Sequence, residues 1–248
     1  ALTCLAATWN PEMSALYGKS IGEEARYREK DILLGPGVNI YRTPLNGRNF
    51  EYMGEDPFLS ARMVVPYVQG VQQNGVAACV KHFAVNNQEL RRHEVDVVVD
   101  DRALHEIYLP AFKAAVQEGG AWAIMGAYNK YKGEHCCHNQ YLLNDILKRD
   151  WAFDGVVVSD WGGSNSAVAA VKAGGSLEMP SPGFTSVREL EGAVKAGTLA
   201  EADINKRAAE VAKIAAATKL VGVGRDDLLS DDIAKAHHDI ARTVAEHS

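Results

Sequence analysis

Between Asp31 and Met179 the chain alternates short apolar runs with longer segments that read as helices. The runs lie at Asp31–Leu34, Val76–Phe83, Ala121–Tyr128, Gly155–Trp161 and Ser176–Met179. Strands this apolar are buried on both faces, the pattern of a parallel sheet with helical crossovers packed against it. The helices carry start signals. Asn10-Pro11 opens one that runs to about Glu29, Asp56-Pro57 opens one to about Asn74, and Asp101 caps one from Arg102 to about Glu118. Others are expected from Tyr141 to about Asp150 and from Asn165 to about Ala173. Beyond the last strand, helices are expected over Val187–Ala196, Glu201–Lys219 and Ser230–Glu246. At the start, Thr8-Trp9-Asn10-Pro11 reads as a strand-to-helix turn after the apolar Ala1–Ala7.

Such alternation fits either an open doubly wound sheet or a (β/α)8-type barrel. No Gly-rich phosphate fingerprint follows any strand, which removes the usual reason for the open sheet. The residues at the strand ends are polar instead: Lys81-His82, Tyr128-Asn129 and Asp160-Trp161. Functional side chains at the carboxyl ends of several strands are the barrel pattern. The fold expected is therefore α/β, an incomplete TIM-like (β/α)8-type barrel of five or six strands, its first strand missing, with extra C-terminal helices. The barrel is expected over residues 1–220, with 221–248 a C-terminal helical segment. There is no initiator Met and no Gly or Pro after the last helix, so both ends read as cut. A formal charge of −6 without a dense basic patch gives no grip on nucleic acid. No apolar run reaches the ~20 residues of a membrane span. The residues carry no sign of an oligomeric state.

Asp160 ends a strand beside Trp161 and before Gly162-Gly163. A carboxylate there suits a nucleophile at a sugar's anomeric carbon or a metal ligand, and equally a helix cap. Lys81 and His82 end another strand. Adjacent strand residues point to opposite faces, so both reach one site only if the strand is already turning. Lys81 suits a grip on hydroxyl groups, a Schiff base with a carbonyl, or a structural ion pair, and His82 a ligand contact or a satisfied core histidine. The Arg48–Pro57 loop mixes charge and aromatics densely, as a ligand-facing loop or as charges paired among themselves. Arg91-Arg92-His93, taken alone, reads as surface. Cys136-Cys137 between His135 and His138 has poor spacing for zinc, because adjacent cysteines do not aim both sulfurs at one tetrahedral ion; free thiols are expected.

Ile32–Asn39, Gly47-Arg48-Asn49-Phe50-Glu51, Gly54-Glu55-Asp56-Pro57, Lys81-His82-Phe83, Asn86-Asn87-Gln88-Glu89, Ala127-Tyr128-Asn129 and Ser159-Asp160-Trp161 occur in this order. Together they resemble glycoside hydrolase family 3, and its bacterial β-glucosidase branch most, over the whole chain. The resemblance implies a retaining, exo-acting β-glycosidase that removes terminal glucosyl residues from a β-glucoside or β-linked oligosaccharide, with β-xylosidase activity as the alternative. It implies that Asp160 is the nucleophile and that Trp161 walls the sugar site. Arg48, Lys81, His82, Arg92 and Tyr128 would hold the sugar, with Met125 lining the pocket. Lys81 and Arg48 near Asp160 would favour its charged form. After Lys81-His82-Phe83 comes Ala84-Val85-Asn86-Asn87, where the family's hexosaminidases have Pro-Gly-His-Gly. The acid/base is therefore expected to be a Glu of a second, α/β sandwich domain absent from this chain, and a sugar-binding Asp to precede Ala1. The 248 residues alone are then expected to be weakly active or inactive. Ser176 stands where the family commonly has Asp. No metal or organic cofactor is implied. More distant readings are a Schiff-base aldolase using Lys81 and a non-catalytic sugar-binding remnant.

Overall fold

A computed structural model describes residues 1–181, 184–218 and 229–248. The chain starts with a short helix, α1 (Leu2–Ala7), where the sequence suggested a strand end. Leu2, Leu5 and Ala6 fall on one helical face and are buried together. In α2 (Pro11–Tyr27) the Asn10 side chain accepts the Glu12 amide at 2.9 Å, and in α3 (Pro57–Gln72) Asp56 accepts those of Phe58 and Leu59. These two helices touch backbone to backbone. A Cβ on Gly18 would lie 2.3 Å from the Tyr67 carbonyl oxygen, and one on Gly70 2.5 Å from that of Ala15, so any side chain there would push them apart.

The strands are β1 (Ile32–Leu33), β2 (Ala77–Phe83), β3 (Asp96–Val97), β4 (Ala123–Gly126), β5 (Lys130–Tyr131), β6 (Glu134–His135) and β7 (Val156–Ser159). A parallel sheet runs β1-β2-β4-β7, and an isolated bridge from Val158 to Leu177 extends it. Ser176–Met179 thus supplies a bridge and not a full strand. The order follows the chain without reversing. β3, β5 and β6 pair as a second small sheet that the sequence did not reveal, because two-residue strands carry no period. Among the described residues the parallel strands form an open array, so the architecture shown is α/β with a parallel sheet and not a closed barrel.

Between β3 and β4, α4 (Asp101–Ala103) continues as a π-helical turn (Leu104–Tyr108) and then α5 (Pro110–Gln117). Its cap is Asp100, which accepts the Ala103 amide at 2.8 Å; Asp101 pairs instead with Lys132. The single helix expected here is interrupted at Pro110, which has no amide hydrogen to continue the ladder. Tyr141–Asp150 is likewise π-helical. On one face of the sheet Ala78, Val80, Ile124 and Val157 pack into a core shared with Val64, Val68 and Phe112. The other face presents Ala77, Cys79, Ala123, Met125, Val156 and Val158.

The remaining helices are α6 (Ala167–Ala173), α7 (Phe184–Lys195), α8 (Glu201–Thr218) and α9 (Asp231–Glu246). Ile214 of α8 covers part of the second sheet face. A buried charge cluster fixes α8. Glu210 receives Lys148 at 2.8 Å and Arg207 at 3.0 Å on one oxygen, and the Ser176 hydroxyl at 2.6 Å on the other. α9 returns to α2, where His237 lies between Glu24 (2.9 Å) and Glu23 (3.2 Å). The expected helix end at Lys219 and the 220/221 boundary lie outside the described residues. Among the described residues no helix is long and apolar enough to cross a membrane.

Candidate active site

At the carboxyl ends of the parallel strands lies a cavity of about 250 Å³. It is lined by Leu34, Arg48, Lys81, His82, Arg92, Met125, Tyr128, Asp160 and Trp161. All eight residues singled out in the sequence meet there, joined by Leu34. Leu34 follows β1, Lys81 and His82 end β2, Met125 belongs to β4, and Asp160 directly follows β7. Arg48 and Arg92 come from the loops after β1 and β2. Lys81 and His82 share the cavity because the pairing of β2 with β4 shifts register between Val80 and Phe83. The strand is turning where its side chains would otherwise alternate.

His82 is almost fully buried, yet each of its polar atoms is engaged. Its amide donates to Asn39 Oδ1 at 2.7 Å, and its carbonyl accepts from Asn39 Nδ2 at 2.9 Å. Arg48 Nη2 lies 2.9 Å from Nε2, and Tyr52 Oη 3.0 Å from Nδ1. Burial first, then the positive charges of Arg48, Lys81 and Arg92, hold the imidazole well below its ordinary pKa of 6.5. The ring is therefore neutral at physiological pH. Because a guanidinium only donates, Nε2 is the acceptor and Nδ1–H donates to Tyr52.

The three cations of the cavity are braced by two carboxylates that do not line it. Glu51 Oε1 sits 2.6 Å from Lys81 Nζ, and its Oε2 lies 2.9 Å from Arg48 Nε and 2.8 Å from Nη2. Glu89 binds Arg92 at 2.6 Å and stands 3.7 Å from Arg48. Burial would raise the Glu51 carboxyl, but Lys81 and Arg48 outweigh it and hold the group below the ordinary carboxylate range. Sequence reasoning did not assign either glutamate a role, although both stand in quoted motifs. A carboxylate among arginines reads as self-neutralising, and only the structure shows which cations it holds.

Asp160 is 8% exposed. Its Oδ1 accepts the Trp161 amide at 2.8 Å, and its Oδ2 lies 3.7 Å from His82 Nε2. Among the described residues no lysine or arginine nitrogen comes within 4.0 Å of this carboxylate. Lys81 and Arg48, expected beside it, point their charges at Glu51. Nor is Asp160 a helix cap, since Ser166 caps α6. A tight turn follows in which Gly163 N–H donates to the Asp160 carbonyl at 2.7 Å, with Gly162 at φ +72°. Such a φ favours glycine. Trp161 remains 41% exposed at the rim. The Tyr128 hydroxyl donates to the Trp161 carbonyl at 2.9 Å, and burial, with Asp160 nearby, pushes that phenol up to about 12.

Arg92 separates from its neighbours in the basic run. Its guanidinium lies 4.5 Å from the centre of the Tyr128 ring, a cation–π distance, while Arg91 is exposed and paired with Glu94. Cys136 and Cys137 are buried free thiols, each pushed up to about 12 by burial. Their sulfurs lie 3.4 Å from the Ala84 and Ala127 carbonyls respectively.

The chain is 66% identical over 192 residues to a β-glucosidase of Bacteroides ovatus, covering 77% of this chain and 26% of that protein. It is 40% identical over 244 residues to an exo-α-(1→6)-L-arabinopyranosidase of Bifidobacterium longum, covering 98% and 32%. β-Glucosidase 3B of Thermotoga neapolitana, solved in complex with glucose, superposes with a TM-score of 0.93 at 39% identity, covering 100% of this chain and 35% of that one. The chain thus spans about a quarter to a third of the length of these relatives. Residues 1–214 match the family model of the glycosyl hydrolase family 3 N-terminal domain, and the chain belongs to that family.

Proposed function

We propose that this chain supplies the nucleophile and sugar-binding half of a retaining, exo-acting β-glucosidase. The observation that carries the reading is the single cavity in which Asp160 meets Arg48, Lys81, His82, Arg92, Met125, Tyr128 and Trp161. Asp160 attacks the anomeric carbon, the bond from that carbon to the leaving oxygen breaks, and a glycosyl ester forms. Arg48, Lys81 and Arg92 take the sugar hydroxyls, His82 holds the Arg48 guanidinium beside them through Nε2, and Trp161 packs on the ring. The singly wound strand order supports reading the sheet as an arc of a (β/α)8-type barrel over residues 1–220, with 221–248 a helical segment beyond it.

Retention requires a second carboxyl group about 5–5.5 Å from the first, and that group must keep its proton. Among the described residues lining the cavity, Asp160 is the one carboxylate. Glu51 is the nearby candidate, but its carboxyl is held low, the wrong direction for an acid. We assign the acid/base to a glutamate of an α/β sandwich domain outside these residues. Missing acid–base help typically costs 10²–10⁴-fold, so ordinary β-glucosides should turn over poorly on this chain alone.

The test avoids that deficit. A 2,4-dinitrophenyl 2-deoxy-2-fluoro-β-glucoside loses dinitrophenolate without protonation, so Asp160 should be glycosylated and the label found on its peptide by mass spectrometry. Absence of label, or label elsewhere, refutes the reading; glucose binding without label would mark a non-catalytic sugar-binding domain. The Schiff-base alternative is disfavoured because Lys81 is committed to an ion pair with Glu51. A second sugar specificity is supported by the arabinopyranosidase relative. The matching fluoro-arabinopyranoside, or fluoro-xyloside, would label faster if either sugar were preferred.

A further inference from the structure

We propose that Glu51 is the positioning residue of the sugar site, setting the relative placement of Lys81 and Arg48 without touching the sugar. This inference rests on the sugar-binding role proposed for those two cations. Glu51 is absent from the cavity lining, and each of its oxygens is committed to a different cation, Oε1 to Lys81 and Oε2 to Arg48. With both oxygens turned to these cations and neither in the cavity lining, it acts on the cavity through Lys81 and Arg48.

The geometry makes this glutamate a strut between two elements. Its own turn, Asn49–Glu51, is held from several sides. Asn49 Nδ2 donates to the Thr43 carbonyl at 2.8 Å, Thr3 Oγ1 to the Asn49 carbonyl at 3.1 Å, and the next residue, Tyr52, is fully buried. Lys81, by contrast, is on β2. Lysine and arginine have long, rotamer-rich side chains, and two cations facing one small cavity repel each other. A carboxylate anchored on a fixed turn and bonded to both overcomes that repulsion and selects one rotamer for each. Glu89 cannot substitute, because its strong contact is to Arg92 and its approach to Arg48 is 3.7 Å.

The experiment is a double-mutant cycle on Glu51→Gln and Lys81→Met, with glucose affinity by calorimetry and the fluoroglucoside inactivation constants as readouts. Gln fills the same space, so a purely structural role would survive the change. The strut predicts about a tenfold rise in the glucose Kd and the inactivator KI for Glu51→Gln, with a smaller change in the inactivation rate constant. In the Lys81→Met background the same substitution should cost at most about threefold, because part of what Glu51 holds has gone. Wild-type affinity in Glu51→Gln, or an equal cost in both backgrounds, overturns the proposal. If Glu51→Gln alone fails to fold, the double variant removes one cation with the carboxylate, and the strut then requires it to bind glucose within about threefold of Lys81→Met. A wild-type chain that binds glucose but is not labelled would overturn the catalytic reading while leaving this one to be judged on Kd. A chain that does neither overturns both.

Discussion

Acidification should destabilise the protein through His82, by an amount that follows from its burial. The ring is 1% exposed and held well below its ordinary pKa of 6.5 by burial and by Arg48, Lys81 and Arg92. In the unfolded chain it takes up a proton near 6.5. Below that pH the unfolded state binds one proton more than the native state, so stability falls as pH falls, by about 1.4 kcal/mol per unit, until the native ring titrates. Between pH 8 and pH 5 this residue alone should remove about 2 kcal/mol. Glu51 contributes in a different window: its lowered carboxyl stabilises above the ordinary 4.5 and that contribution is lost only at lower pH. Urea unfolding followed by circular dichroism at pH 8, 7, 6 and 5, on wild type and His82→Gln, isolates the term, since the half-buried His138, also lowered by burial, is common to both. The pH-dependent loss should be about 2 kcal/mol smaller in the variant. Equal losses, or a native His82 titrating near 6.5 by NMR, would refute the reasoning.

Other contacts carry expected outcomes of their own. Glu210→Ala strands Lys148 and Arg207 in a buried setting and should cost about 3–5 kcal/mol in urea unfolding, whereas a surface ion pair would cost under about 1. Gly162→Ala meets open space, so its cost is the φ alone, about 1 kcal/mol. Gly163→Ala instead meets the Asp160 carbonyl at 3.1 Å and Cys137 Sγ at 3.2 Å, and should slow labelling of Asp160 more than Gly162→Ala does. Tyr52→Phe leaves the His82 Nδ1 donor buried without an acceptor, for about 1–3 kcal/mol of stability in the same assay.

The elements that surround the site were legible because their signals are local. Asp56-Pro57 and Asn10-Pro11 cap helices wherever they stand, and the run ending in Ser159-Asp160 has no other place than a buried strand. Where the sequence misled, a competing term decided. Ala1–Ala7 carries helical spacing at Leu2, Leu5 and Ala6, but its short apolar run before a capped helix read as a strand end. Pro110 broke a helix whose hydrophobic pattern runs on past it. The eight cavity residues were readable partly from strand ends and partly from family resemblance. Arg92 shows the limit, since its neighbours Arg91 and Leu90 are exposed and only the fold separates it from them. Glu51 shows another, because pairing across a loop and a strand has no periodicity to betray it.

Arg48, Lys81 and Arg92 face Glu51, Glu89 and Asp160, three cations against three carboxylates within and just behind one cavity. With all six ionised, the site carries strong local dipoles but no net charge. The uncharged sugar proposed as ligand would gain hydrogen bonds there, while these six groups add no net monopole to the field around the site. Sugar recognition by such a site is expected to change little with ionic strength, since salt screens monopoles at a distance and leaves contacts made inside a small cavity almost untouched.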